Sequence, residues 1–175
     1  MPPTLLMRRH SLTRSGTRRT AAVSPPGAEL TGGVLRALRR RRKVLGWVPQ
    51  MPNGAEASFD LVLTAAGPLA IDSVRGEGEL EPAYVVLVAA RARDAARQAQ
   101  SVFGVAGFFD PVLPVVVVWG GDAYAVPAGG CLLHDVLFLR GRELKHWLRR
   151  ELARGDRVDE PVAQDLLVRL SLIPA

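Results

Sequence analysis

Two aspartates, Asp60 and Asp72, lie in neighbouring hydrophobic segments whose pattern is typical of a β-hairpin. The segments cover residues 59–64 and 69–74, and the residues between them are rich in alanine, glycine and proline. Because antiparallel partners across a tight turn lie within a few ångströms of each other, the two carboxylates are predicted to approach each other. Paired carboxylates of this kind bind Mg²⁺, which would polarise a phosphodiester and supply hydroxide. The spacing leaves open the alternative that both aspartates cap turns at strand ends.

The hydrophobic periodicity along the chain predicts an α/β fold in which helices flank a mixed central sheet. Residues 112–119 form a valine-rich run, which predicts a central strand that is buried on both faces and has parallel neighbours. The other predicted elements are a helix over 29–42, a strand over 44–48, a loop over 49–57, a strand over 83–89 that leads into a crossover helix over 90–104, short strands over 123–126 and 136–139, and helices over 141–154 and 160–170.

Positive charge is concentrated at the start of the chain. Residues 1–43 contain eleven of the 23 lysines and arginines and one acidic residue, Glu29, which gives a net charge of +10. The remaining residues hold 12 basic and 16 acidic side chains, a net charge of −4. We therefore expect a disordered basic arm over 1–26 and an α/β domain over 27–175.

This basic front end could bind nucleic acid through counterion release or an anionic membrane, or it could serve as a solubilising tail. Its last basic residues close the first predicted helix, where cations suit the helix C-terminus. The residues predicted to bind nucleic acid are Arg39, Arg40, Arg41, Arg42 and Lys43.

The location of the protein is predicted from its cysteine content and its apolar segments. The single cysteine, Cys131, excludes an intramolecular disulfide and fits a reducing compartment. Residues 1–26 lack the continuous apolar core of a secretory signal. The longest apolar strand run is far shorter than the roughly 20 residues that a membrane helix requires. We therefore expect a cytoplasmic protein without a membrane span.

A series of short motifs, each loose by itself, gives the chain a resemblance to a known family. The motifs are, in chain order, Gly27-Ala28-Glu29, Phe59-Asp60, Gly67-Pro68, Ile71-Asp72-Ser73, Arg97-Gln98-Ala99, Pro114 to Gly120, and Leu139-Arg140-Gly141-Arg142-Glu143-Leu144 before Trp147-Leu148. In this order they resemble the nuclease-related domain (NERD) family, a branch of the PD-(D/E)xK superfamily with the restriction-endonuclease-like fold. The resemblance covers residues 27–170.

The resemblance implies a Mg²⁺-dependent nuclease site. Asp60 and Asp72 match the two metal-binding and catalytic acids of the family, and Gln98 matches its helix glutamine, which would contact a phosphate or a ligand acid. The position of the family's catalytic lysine is Val74, and an isopropyl group neither donates to the scissile phosphate nor holds a nucleophilic water. The chain departs further at two places: Gly32-Gly33 stands where the family often has Gly-Glu, and Leu61 stands where it often has His.

Three functions are compatible with this pattern. The first is a nucleic-acid-associated protein whose metal-dependent nuclease site is impaired or inactive. The second is an active Mg²⁺-dependent deoxyribonuclease, a hydrolase in which Arg75, Lys43 or another cation replaces the lysine. The third is a non-catalytic protein-interaction domain whose basic arm contacts an acidic partner or a membrane surface.

Overall fold

The computed structural model describes residues 26–41, 43–54, 57–76, 81–120, 125–155 and 158–171. Over these ranges the chain forms helices and strands in the order α1 (Pro26–Arg40), β1 (Gly46–Asn53), β2 (Ala57–Thr64), β3 (Gly67–Gly76), α2 (Pro82–Val105), β4 (Leu113–Gly120), β5 (Cys131–Leu133), β6 (Val136–Arg140), α3 (Gly141–Leu152) and α4 (Glu160–Ser171). The predicted α/β class is confirmed.

The described strands form one mixed sheet in the order β1-β2-β3-β4-β6-β5. Neighbours are antiparallel from β1 to β3, whereas β3, β4 and β6 run parallel to one another and β5 is antiparallel to β6. The valine-rich run is therefore central, and both of its neighbours are parallel to it, as predicted. Val115, Val116, Val117 and Val118 are each 0 % exposed, because helices cover both faces of the sheet.

Alternation along the strands divides the core between the two faces. On the first face, Ile71 and Val117 pack with Leu35 of α1 and Leu144 of α3. The second face is covered by α2 and α4. The apolar residues of the second face belong to two clusters: Ala70, Phe59, Leu61, Ala99 and Leu166 in one, and Val74, Val116, Phe138, Val88 and Ala92 in the other. Alternate residues of each strand thus pack against different pairs of helices.

The predicted strand over 83–89 is wrong, because these residues form the first turns of α2, which begins at Pro82. The run of Val85, Val86, Leu87 and Val88 imitates a buried strand. It is nevertheless continuous with an alanine-rich helix, and proline is well tolerated in the first turn. The buried residues of α2 recur at helical spacing: Val88, Ala89, Ala92, Ala95, Ala96, Ala99 and Phe103. Burial of one helical face therefore outweighs the strand propensity of the valines.

Other sequence predictions differ from the structure in detail. The predicted loop over 49–57 is partly wrong, because β1 continues to Asn53 after a bulge between Val48 and Met51. The strand over 123–126 lies partly outside the described residues, and its last two residues are not in a strand. The edge strand β5 was not predicted. Of the predicted arm, the structure describes only Pro26, which begins α1.

The helices over 141–154 and 160–170 and the strand over 136–139 are confirmed with small shifts of their ends. No helix in the described part of the chain combines the length and the apolar character needed to cross a membrane.

Candidate functional site

The two predicted site acids lie on adjacent strands but point to opposite faces of the sheet. Asp60 of β2 pairs directly with Ile71 of β3, so these two side chains share a face. Ile71 belongs to the core of the first face. Asp72 is the next residue along β3, and alternation turns its side chain to the second face. The register therefore does not bring the two carboxylates together, and their predicted approach is wrong.

Asp60 is buried on the first face, where it is 3 % exposed. Its Oδ1 accepts hydrogen bonds from the indole nitrogen of Trp47 at 3.3 Å and from the backbone nitrogen of Gln50 at 3.1 Å. Gln50 lies in the β1 bulge with a φ of 56°, and this conformation directs its N–H towards the carboxylate. Burial raises the pKa of Asp60, and the two hydrogen bonds oppose this shift. The β1 bulge thus supplies a donor to a buried acid.

Asp72 is buried to the same extent on the second face, at 3 % exposed. Arg91 of α2 donates to both of its oxygens, with an Nε–Oδ2 distance of 2.5 Å and an Nη2–Oδ1 distance of 3.0 Å. Burial raises the pKa of Asp72, while the hydrogen bonds and the charge of Arg91 act in the opposite direction. The carbonyl of Arg91 in turn accepts from the Asn53 side chain at 3.0 Å. The ion pair between Asp72 and Arg91 thus holds α2 against the sheet.

A second polar group on the first face fixes the start of α1. The Thr31 and Ser73 hydroxyl oxygens lie 2.6 Å apart, and both residues are buried. The indole nitrogen of Trp119 donates to Thr31 Oγ1 at 2.9 Å. This group lies where β2 and β3 separate, since the described pairing between them begins at Asp60 and Ile71 and does not extend to Ser73. It links α1 to β3 and β4.

Of the remaining residues of the predicted nuclease site, Val74 lies beside Asp72 on the second face, whereas Arg75 and Gln98 lie apart from the two acids. Val74 packs in the core of the second face beneath α2, where it is 5 % exposed. Arg75 is exposed and shares a face with Asp60, but it lies four residues beyond Ile71, which is about 13 Å along the strand. Gln98 is exposed on α2, seven residues or roughly 10 Å beyond Arg91. The structure does not bring the side chains of Arg75 and Gln98 together with the acids.

The residues present do not fit the Mg²⁺ ion that the family resemblance implies. Mg²⁺ requires near-octahedral oxygen ligands at about 2.0–2.1 Å, usually one or two carboxylates with waters. Asp60 and Asp72 cannot share one ion from opposite faces of the sheet, and both oxygens of Asp72 are engaged by Arg91. Among the residues that the structure describes, no three His, Cys, Asp or Glu side chains are grouped to hold a metal.

The basic cluster predicted to bind nucleic acid lies at the end of α1. Arg39, Arg40, Arg41 and Lys43 are exposed, whereas Arg42 lies outside the described residues. None of the four exposed side chains forms an ion pair with an acidic side chain in the described ranges. Their charges are therefore available to an anionic ligand.

Arg91 is the main residue that sequence reasoning missed at this site. Arg91 fell within the crossover helix predicted over 90–104, but its level relative to β3 depends on where α2 begins, and the strand predicted over 83–89 misplaced that start. The hydroxyl group of Thr31 and the indoles of Trp47 and Trp119 gave no sequence signal, since their partners are 13 to 88 residues away in the chain.

Comparisons of this chain with family models, with curated proteins and with solved structures found no match.

Proposed function

We propose that this protein binds nucleic acid and does not cleave it, on a scaffold related to that of the nuclease-related domain family. The order α1, the β2–β3 hairpin, α2 and β4 supports the resemblance to a restriction-endonuclease-like sheet. One observation carries the proposal: the two acids that would bind the metal face opposite sides of the sheet, and one of them is held by Arg91.

The local chemistry at each acid argues against a nuclease site. On the second face, Val74 fills the lysine position with an apolar group packed beneath α2. On the first face, the nearest described cation along β3 is Arg75, about 13 Å from the level of Asp60. Lys43 lies at the far end of α1, beyond the strand residue Leu63. Neither of these two cations lies at the level of Asp60, which counts against both as replacements for the lysine.

Binding to nucleic acid is supported by the exposed basic cluster on α1. Arg39, Arg40, Arg41 and Lys43 present four positive charges within five residues, and no described acid neutralises them. Lysine and arginine side chains that contact phosphates release condensed counterions, which supplies most of the free energy of non-specific binding. Arg91 compensates the charge of Asp72, so this buried acid does not oppose the approach of a phosphate backbone.

The proposal is tested by cleavage and binding assays on the same preparation. The full chain is incubated with supercoiled plasmid and Mg²⁺ or Mn²⁺, beside an Asp60→Asn, Asp72→Asn variant that keeps the shape of both side chains. We expect no nicking above the level of the variant, together with a gel shift that weakens steeply as salt is raised. Cleavage that the variant loses would establish an active nuclease, and the absence of any gel shift would refute nucleic-acid binding.

A further inference from the structure

The outer side of α3 carries a second row of basic residues, which the sequence analysis did not connect with the first. Leu144, Trp147 and Leu148 face the sheet. Over residues 141–151 of this helix, the exposed residues all have basic or imidazole side chains: Arg142, Lys145, His146, Arg149 and Arg150. Their helical spacing places them on one side. The net charge of −4 over residues 44–175 conceals this row, because most of the acids lie elsewhere in the chain.

α1 and α3 lie side by side on the first face and run in the same direction. Both contact Trp119 near their N-terminal ends: its indole nitrogen donates to Thr31, in the second turn of α1, and its ring lies so close to Gly141, the first residue of α3, that an added β-carbon would overlap it. Both end near the β2–β3 turn. There the nitrogen of Leu45, just beyond α1, donates to Leu63 at 2.9 Å, and Trp147 lines a cavity that the turn residues also line.

The shared contact with Trp119 sets the basic residues of the two helices at the same level. Arg40 is nine residues beyond Thr31, and Arg150 is nine residues beyond Gly141. At a rise of about 1.5 Å per residue, each arginine lies about 14 Å from the Trp119 end. Packed helices are separated by roughly 8–10 Å, so the two basic clusters are neighbours on one surface.

The acids on these two helices do not neutralise that surface. Glu29 lies in the first turn of α1, at the opposite end from Arg40. Glu143 accepts a hydrogen bond from the Gly129 nitrogen at 2.9 Å, and Glu151 pairs with Arg154. Arg39, Arg40, Lys145, Arg149 and Arg150 form no ion pair within the described ranges.

We infer that α1 and α3 together form one surface that binds the phosphate backbone of double-stranded nucleic acid. This inference rests on the proposed function and adds α3 and the form of the ligand to it. Single-strand binding uses aromatic side chains as stacking platforms. The exposed large aromatic side chains in the described residues are Tyr84 and Phe109, and neither belongs to α1 or α3. Contacts to phosphates alone carry no sequence information, so the surface binds duplexes of any sequence.

An anionic membrane is the competing ligand for a basic surface. Membrane-bound amphipathic helices bury an apolar side in the headgroup region. The apolar side of α3 is instead buried against the sheet, and no large apolar residue is exposed among its side chains whose burial is described. On α1 the exposed large apolar residue is Leu30, which lies at the opposite end of that helix from Arg40. These features favour the duplex over the membrane.

Three variants that each remove two positive charges test the inference. The first changes Arg39 and Arg40 of α1 to Gln, and the second changes Arg149 and Arg150 of α3 to Gln. The control changes Arg97 of α2 and Arg169 of α4, on the second face, to Gln. Glutamine retains helix propensity, and thermal unfolding of each variant checks that it is folded.

Binding of the full-length variants to a short labelled DNA duplex is measured over a range of salt concentrations. We expect both first-face variants to bind roughly tenfold or more weakly, with a salt slope reduced by up to about 1.8, and the control to retain the wild-type slope. The same losses with an RNA duplex would show that the phosphate backbone common to both duplexes is bound, whereas losses confined to one duplex would identify DNA or RNA as the ligand.

Several outcomes would overturn the inference. If the α1 variant loses affinity and the α3 variant behaves like the control, nucleic-acid binding stands and the two-helix surface does not. Tighter binding to a single strand, or to vesicles containing phosphatidylserine, would overturn the choice of ligand. Failure of the wild-type chain to bind any nucleic acid would refute the proposed function itself.

Discussion

Asp72 and Arg91 form a two-point ion pair between β3 and α2, although they are 19 residues apart in the chain. The carboxylate is almost fully buried, and the arginine side chain is 34 % exposed. An acid that could serve as a metal ligand is thereby converted into an anchor for the longest described helix. Because Arg91 occupies both oxygens of Asp72, the same ion pair that packs α2 onto the second face also keeps Asp72 from sharing a metal ion with Asp60.

Replacing Arg91 by Met is expected to destabilise the protein by about 1–3 kcal/mol at neutral pH, because it leaves the buried Asp72 charge without a partner. The Asp72→Val, Arg91→Met double variant should recover most of this loss, since apolar replacement of a buried ion pair is often neutral. Urea unfolding of the wild type, the two single variants Arg91→Met and Asp72→Val, and the double variant provides the measurement. A double variant as unstable as the sum of the two single variants would show that the two residues act independently.

The sequence predicted the α/β class and the central strand well, because their signals are local. The valine run over 112–119 marks burial on both faces, and the period of 3.6 residues in α1 and α3 marks their inner sides. The hairpin was correct in its strands, but the pairing of Asp60 with Ile71 decides the faces of both acids. The length of the turn sets this register: an even number of residues between the strands, two in the structure and four in the prediction, puts Asp60 and Asp72 on opposite faces. The separation of the acids could therefore have been derived from the predicted hairpin.

The candidate site was less predictable for a further reason. Arg91 lay in the predicted crossover helix, but the level of this helix over β3 was wrong because residues 83–89 were assigned to a strand. The basic row on α3 could have been recognised, because Arg142, Lys145 and Arg149 recur at helical spacing. Net charge over the whole domain concealed it, since an average does not report which side of a helix carries the charge.

Asp60 is expected to make the stability of the protein depend on pH in mildly acidic solution. Burial raises its pKa above the ordinary value of 3.8. The folded state therefore binds the proton more tightly than the unfolded state, and the free energy of unfolding falls as pH rises from about 4 through the folded pKa. At higher pH this contribution is constant.

The Asp60→Asn variant has no such titration, and its oxygen still accepts from Gln50 and Trp47. The wild type should therefore gain stability relative to this variant as the pH is lowered through that window. Guanidinium unfolding at a series of pH values measures the difference. Parallel pH profiles for the two proteins would show that burial does not shift this carboxyl group.

The hydroxyl of Thr31 is expected to contribute to stability through Trp119 and Ser73. Thr31→Val keeps the shape of the side chain but removes the acceptor for the indole nitrogen and the partner of the serine hydroxyl. We expect a loss of about 1–2 kcal/mol in the free energy of unfolding, measured with urea. Thr31→Ser is the matched control, because it retains the hydroxyl, and it should lose less. A larger loss in the serine variant would assign the effect to the methyl group.

Two glycines in the first-face helices should respond in opposite ways to replacement by alanine. At Gly141 an added β-carbon would overlap the Trp119 ring, which contacts both α1 and α3 near their N-terminal ends. At Gly33 the added atom meets nothing within 4 Å. Alanine stabilises a helix interior relative to glycine by about 0.5–1 kcal/mol, so Gly33→Ala should raise the free energy of unfolding.

Gly141→Ala should instead lower the free energy of unfolding by about 1–3 kcal/mol, because the ring or the start of α3 must move. Denaturant unfolding followed by far-ultraviolet circular dichroism compares both variants with the wild type. Equal gains for the two alanine variants would mean that Trp119 does not pack against the start of α3. In that case the level at which Arg150 lies beside Arg40 would also need to be revised, because that level is measured from the same contact.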